Sequence, residues 1–266
     1  MKILDLLENL NNLFGLYYSL EGDKVGLQIG SPSDKVSNVL CAMEITPSVI
    51  EEAINKKTNL IIVFHPFVYR PLQTVGTGDI ISEMAYTLIR NGISVYSVHT
   101  ALDTHPKGNN YYLANKLGLY NSKFLDLPFE EAERGMGIMG LIEPTPYHKV
   151  LQLISENLSS NLRYSDMPRS KSISKIGLVC GSGIDYAKKA MENDCDLFIT
   201  ADVSYHFFRG WGGMAIVDPG HWEMERWAPQ LMLEILTNSN SFNNLTIFVS
   251  EIETNFAKQF LKTTKL

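Results

Sequence analysis

Four residues of metal-ligating type, His65, Asp103, His221 and Glu225, stand out because each ends or follows an apolar run of strand character. The runs are NLIIVFHPF (59–67), GISVYSVHTALD (92–103) and GMAIVDPGHWEMER (213–226). In an open α/β sheet, a polar residue just past the carboxyl end of a strand faces the crevice where ligands bind. Two imidazoles and two carboxylates gathered there suit a divalent ion such as Zn, Mn, Fe, Co or Ni, and spacing does not choose among these metals. His221 and Glu225 are four residues apart, so on a helix both reach from one face. Pro66 lacks an N–H and so ends the strand ladder at His65. His99 and His105 flank Asp103 as substitute ligands or as partners that orient the ligands. Asp202 and His206, in TADVSYH, read as a catalytic acid–base or orienting pair. The bland alternatives are a satisfied core histidine at 65, a charged surface helix at 221–226, and an exposed His105 beside Pro106 and Lys107.

The elements that position these residues follow from periodicity. ILDLLENLNNLF (3–14) has helical spacing of its apolar residues. A strand at 36–45 is followed by a helix starting at Thr46-Pro47, an N-cap and first-turn proline. A strand at 59–64, a helix at 78–92 and a strand at 93–99 continue the alternation, which implies parallel pairing with covering helices. GMGIMGLIE (135–143) reads as a strand stopped by the breaker PTP, and HKVLQLISENL (148–158) as a helix. The tail predicts a strand, LTIFVSE (245–251), then a helix, TNFAKQFLK (254–262). GSG (181–183) lacks the lysine of a phosphate-binding loop and reads as a tight turn.

Residues 37–65 and 174–202 align without a gap at a constant offset of 137, pairing His65 with Asp202. GISVYSV and GMAIVDP then correspond, each followed by a histidine, His99 and His221. The pattern predicts an α/β protein of two related lobes, an internal duplication, with the metal site in the cleft between them. The first lobe spans 1–125 and is completed by 226–266, and the second spans 126–225.

A chain of 266 residues with 45% hydrophobic and 20% charged residues has ample material for such cores. The net charge of −6 disfavours nucleic acid as a partner. No apolar run approaches a membrane span, and Asp5 and Glu8 interrupt the first helix in a way no signal peptide does. Three cysteines without a CxxC pair predict structural thiols in a reducing, cytoplasmic setting.

The blocks GDKVGLQIG (22–30), FHPFVYRPL (64–72), YSVHTALD (96–103), LFITADVSYH (197–206) and DPGHWEMER (218–226) occur in an order that resembles the NGG-interacting-factor-three-like family. Its members are also called GTP cyclohydrolase I type 2 homologues. The resemblance covers nearly the whole chain, in the family's short form. It implies a two-lobe α/β fold, a dinuclear metal site and a toroidal homohexamer. By matching position, it makes His65, Asp103, His221 and Glu225 ligands, with Glu225 bridging two ions. The family pattern has two adjacent histidines before the proline, and here the first is Phe64. Either His99, His105 or water fills that place, or the site holds one ion. Lys24 also stands where the family often has asparagine.

These features lead to a metal-dependent hydrolase acting on a C–N or phosphoester bond, with a nucleotide-like substrate suggested by the family name alone. The alternative is a non-enzymatic metal-binding or regulatory scaffold, towards which the loss of a ligand at Phe64 leans.

Overall fold

The computed structural model describes residues 1–159, 161–166, 172–209 and 211–258. Helix α1 (Ile3–Phe14), strands β1 (Gly26–Ile29) and β2 (Asn38–Ala42), helix α2 (Pro47–Asn55), strand β3 (Leu60–Val63), helix α3 (Ile80–Arg90) and strand β4 (Ser94–Ser97) come first. Helices α4 (His99–Asp103) and α5 (Asn109–Lys116) lead into β5 (Tyr120–Asp126), β6 (Met136–Pro146), α6 (Tyr147–Asn157), β7 (Arg163–Tyr164) and β8 (Ser172–Leu178). Then come α7 (Ala187–Glu192), β9 (Leu197–Ile199), β10 (Ala215–Asp218), α8 (His221–Glu225), α9 (Ala228–Thr237) and β11 (Thr246–Val249).

The strands form two mixed sheets. One has the order β1-β4-β3-β2-β11, with β11, β2, β3 and β4 parallel and β1 antiparallel at the edge. The other has the order β5-β6-β8-β9-β10-β7, with β8, β9 and β10 parallel. Parallel strands need both faces covered, and β3 and β4 are buried along their whole length. One face of the first sheet packs with α1 and α9, and the other with α2 and α3. Helix α1 buries Ile3, Leu6, Leu10 and Phe14 on one stripe and stops at Gly15, whose φ of 71° supplies the left-handed turn. Thr46 caps α2 by accepting from Val49 N at 3.2 Å, as the sequence predicts. Among the described residues, no helix is long and apolar enough to cross a membrane.

Two expectations change. The strand at 135–143 does not stop at PTP but runs to Pro146. Its pairing with β5 ends at Leu141, while pairing with β8 resumes at Thr145 after an irregularity. The prolines therefore sit where one neighbour is gone and the register has slipped, which a residue without an N–H tolerates. In the tail, Thr254–Lys258 is not helical, and the rest of the predicted helix lies outside the described residues. There Asn255 Oδ1 accepts from Ala257 N at 3.0 Å, a local side-chain bond that competes with a helix.

The turns entering β3 and β9 are built alike. Asn59 Oδ1 accepts from Ser37 N and Asn38 N at 3.1 and 3.3 Å. Asp196 Oδ2 accepts from Ser174 N and Lys175 N at 2.8 and 3.0 Å. Lys57 and Asp194, just before these turns, have φ of 53° and 54°. Each acceptor thus ties the start of one parallel strand to the start of the next. Asn59→Ala and Asp196→Ala each remove the side-chain acceptor of two exposed or half-buried backbone N–H groups and should each cost about 0.5–1.5 kcal/mol. Urea unfolding of both single variants and the double variant checks this. The two losses should add, because the sites lie in separate sheets.

Candidate metal centre

The parallel strands deliver their following residues to a shared edge. Past β3, Phe64 N and His65 N donate to Ala42 O and Met43 O, both at 3.0 Å, so the ladder to the β2 segment continues through His65. Gln28 pins the loop beyond: its Oε1 accepts from Phe67 N at 2.7 Å and Val68 N at 3.1 Å. From the other sheet, β10 ends at Asp218, and Gly220, at φ 103°, turns the chain into α8.

His65, His221 and Glu225 each bring one ligand atom into a group within 4.8 Å of one another. His65 Nε2 and His221 Nε2 lie 3.1 and 2.9 Å from the same atom, Glu225 Oε2. Both distances suit hydrogen bonds, yet that oxygen is buried and neither ring N–H is aligned to satisfy it. Two nitrogens and an oxygen that converge without donating to one another are arranged as a cation would need them. Gly181, at φ +66°, makes room, because a Cβ there would collide with Glu225 Oε1.

Each imidazole is oriented from behind. Glu44 Oε1 lies 3.2 Å from His65 Nδ1, and Asp202 Oδ2 lies 2.7 Å from His221 Nδ1. A carboxylate on Nδ1 fixes the tautomer that presents Nε2 to a metal. His99 shows the same motif, with Asp23 Oδ1 2.7 Å from its Nδ1, and its ring stands 5.7 Å from that of His65. Thr100 donates to Asp23 through both its N–H and its hydroxyl.

Asp103 is buried, receives Asn109 Nδ2 on Oδ1 at 2.9 Å, and lies outside the three-residue group. Burial first, and then the charge of Glu225, push its pKa up to about 7. Burial opposes charge on His65 and His221, but their carboxylate partners outweigh it, and their pKa values rise to about 10 and about 9. Burial would raise Glu225, yet the adjacent His221 and His65 hold it below the usual carboxylate range. Asp23 likewise overcomes burial through His99 and Thr100 and falls to about 2.

The remaining expected residues are placed differently. Phe64 is fully buried, with its ring 4.8 Å from that of His65 and 5.7 Å from that of His99. His105 is buried rather than exposed, its Nδ1 accepting from Lys107 N at 3.0 Å. Burial and the nearby Arg134 lower its pKa to about 4. It stands outside the three-residue group, as does His206, which is exposed with its ring 5.4 Å from that of Tyr205. Sequence reasoning missed Glu44 and Asp23. Glu44 did carry a signal, since it follows β2 as His65 follows β3. Asp23 had none beyond its place in GDKVGLQIG.

Residues 1–256 match the family described as Duf34/NIF3 (NGG1p interacting factor 3). A Lactococcus lactis protein named GTP cyclohydrolase 1 type 2 homolog is 32% identical over 84% of this chain and 86% of its own. A Clostridium perfringens protein of the same name is 31% identical over 85% and 87%. The crystal structure of a Staphylococcus aureus hypothetical protein superposes with a TM-score of 0.84 at 25% identity, covering 98% of this chain and 99% of its own. A Bacillus cereus protein related to NIF3 has the same fold, with a TM-score of 0.83 at 20% identity over 98% and 99%.

The raised histidine pKa values fix the pH behaviour. Without metal, the ion pairs stabilise the fold fully below the unfolded pKa of 6.5, and this contribution is lost as pH rises through 9 and 10. Metal binding runs the other way, because both Nε2 atoms must shed protons. Titration with Zn at pH 7 should release about two protons per ion, read as a buffer-dependent binding enthalpy. An enthalpy equal in buffers of different ionisation heat would contradict this.

Proposed function

Because the chain belongs to the Duf34/NIF3 family, we propose that it is a divalent-metal-binding protein acting as a metal-dependent hydrolase on a C–N or phosphoester bond. The observation carrying this reading is Glu225 Oε2, a buried acceptor faced by two imidazole nitrogens that do not satisfy it. Buried Asp103 beside Glu225 adds to it: two neighbouring carboxylates in a low-dielectric site call for a cation. His65, His221, Glu225 and Asp103 would hold the ion, or two ions with Glu225 between them. Zn, Mn, Fe, Co and Ni all suit this mixed nitrogen and oxygen set.

A divalent ion there supplies Lewis acidity and acidifies water. The chain's own contribution is orientation. Glu44 and Asp202 keep the inward nitrogens of His65 and His221 in place, so Asp202 acts as a positioning residue on His221. His206 is retained as a proton carrier only for a substrate that reaches the turn Tyr205–Arg209. The relatives' name supports a nucleotide-like substrate. The resemblance also supports a homohexameric ring, and the three cysteines without a CxxC pair support a cytoplasmic setting. The net charge of −6 speaks against nucleic acid, and the lack of a long apolar helix among the described residues speaks against a spanning helix.

The two sheets are read as copies of one unit, with the metal centre in the cleft where their strand ends meet. The equivalent turns at Asn59 and Asp196, 137 residues apart, support the duplication. Phe64 favours a second reading, a non-enzymatic metal-binding scaffold, because an apolar ring fills the position of an expected ligand.

Metal content and turnover separate the two readings. The purified protein should retain metal and hydrolyse at least one member of a nucleotide and phosphoester panel with added Mn or Zn, and Glu225→Gln should abolish both properties. Full metal occupancy without turnover across the panel would select the scaffold. Phe64→His should raise the metal content measured by mass spectrometry from about one to about two ions per subunit, since it restores an imidazole beside His65 and His99. Two ions in both proteins would show that His99 or another group already fills the place.

A further inference from the structure

We infer that the C-terminal segment 254–257 is the specificity wall of the metal pocket, and that it seats a flat, uncharged heteroaromatic ring against Phe256. This deepens the metal-centre reading and rests on it. A cavity of about 270 Å³ opens onto the centre, bounded by Glu44, His65, Asp202, His221 and Trp222 on one side and by residues 254–257 on the other.

Topology brings the segment there. Strand β11 runs parallel to β2, so the chain leaves β11 at the same edge from which Glu44 and His65 project. Its approach is anchored. Ser250 Oγ and Glu251 N both donate to the Glu52 carboxylate, Lys56 Nζ meets Glu251 Oε1 at 2.9 Å, and Ile252 packs against the core under α2 and α3. Beyond Ile252, the hydrogen bonds among the described residues stay within 253–258. The wall is therefore delivered by its anchor, and of its side chains the Phe256 ring is the one left largely in the open. Phe256 is 72% exposed, a large apolar ring placed at the mouth of a polar centre.

Size and charge define what fits. The cavity lies near the roughly 300 Å³ lower end of small-molecule sites, room for one ring system rather than a whole nucleotide. Its acidic residues Glu44 and Asp202 are engaged with His65 and His221, and no lysine or arginine is among its described lining residues. With His65 and His221 committed to the metal, phosphate would find no lysine or arginine on these walls. A neutral ring stacked on Phe256, with a ring substituent directed at the centre, matches both properties.

The test uses full-length Mn-loaded protein titrated calorimetrically with guanosine, a base without phosphate, and with ribose 5-phosphate, a phosphate without a base. Guanosine should bind. Phe256→Ala should weaken it about tenfold, the loss expected on removing one base–aromatic stacking partner, and Phe256→Tyr should restore it. Metal per subunit should be the same in all three proteins. Binding of ribose 5-phosphate in preference to guanosine, guanosine affinity indifferent to Phe256→Ala, or no binding of either by metal-replete protein would overturn the inference. Guanosine binding that depends on Phe256 in a protein that takes up no metal would uphold the wall and bring down the metal centre.

Discussion

One buried carboxylate sets the terms for the rest of the site. Glu225 is 3% exposed, and removing its charge from water is costly unless positive charge or hydrogen-bond donors compensate. The fold answers by bringing His65 from one sheet and His221 from the other to a single oxygen of that side chain. Gly181 clears the space, and Gln28 secures the loop that follows His65. The two sheets could not shift far past one another without separating these groups.

Without metal, protons fill the compensating role. The histidines are held charged by Glu225 and their outer carboxylates, against the pull of burial. Asp103 does the reverse. It lies beside Glu225, and burial with like charge makes it hold its proton towards neutrality. On the proposed reading, protons and a divalent cation would be alternative occupants of one electrostatic slot. The thiol of Cys180, also near these carboxylates, is pushed well above its ordinary pKa, mainly by burial, so it behaves as packing and not as a nucleophile.

Much of the frame was legible from local pattern. Helix α1 has the predicted limits, Thr46 caps α2 as its position before Pro47 suggests, and β11 falls inside the predicted run at 245–251. The misreadings have identifiable causes. PTP breaks a strand only if both neighbours demand its N–H groups, and here one neighbour ends at Leu141. His105 reads as exposed from Pro106 and Lys107, but packing of the loop against α1 and Arg134 encloses it. Asp23 and Glu44 pass unnoticed because each acquires its role from a histidine at least twenty residues away.

The sequence by itself determined the parallel strand–helix units, the residue types able to bind a cation, and the helical spacing that puts His221 and Glu225 on one face. These follow from short-range periodicity and side-chain chemistry, which neighbours in the chain specify. Tertiary structure alone decided which candidates meet. It joined His65 to His221 and Glu225, held Asp103 just behind them, left His105 and His206 apart, and brought the tail across the pocket. Those outcomes depend on how the two sheets are set against each other, a long-range arrangement that no local stretch of sequence encodes.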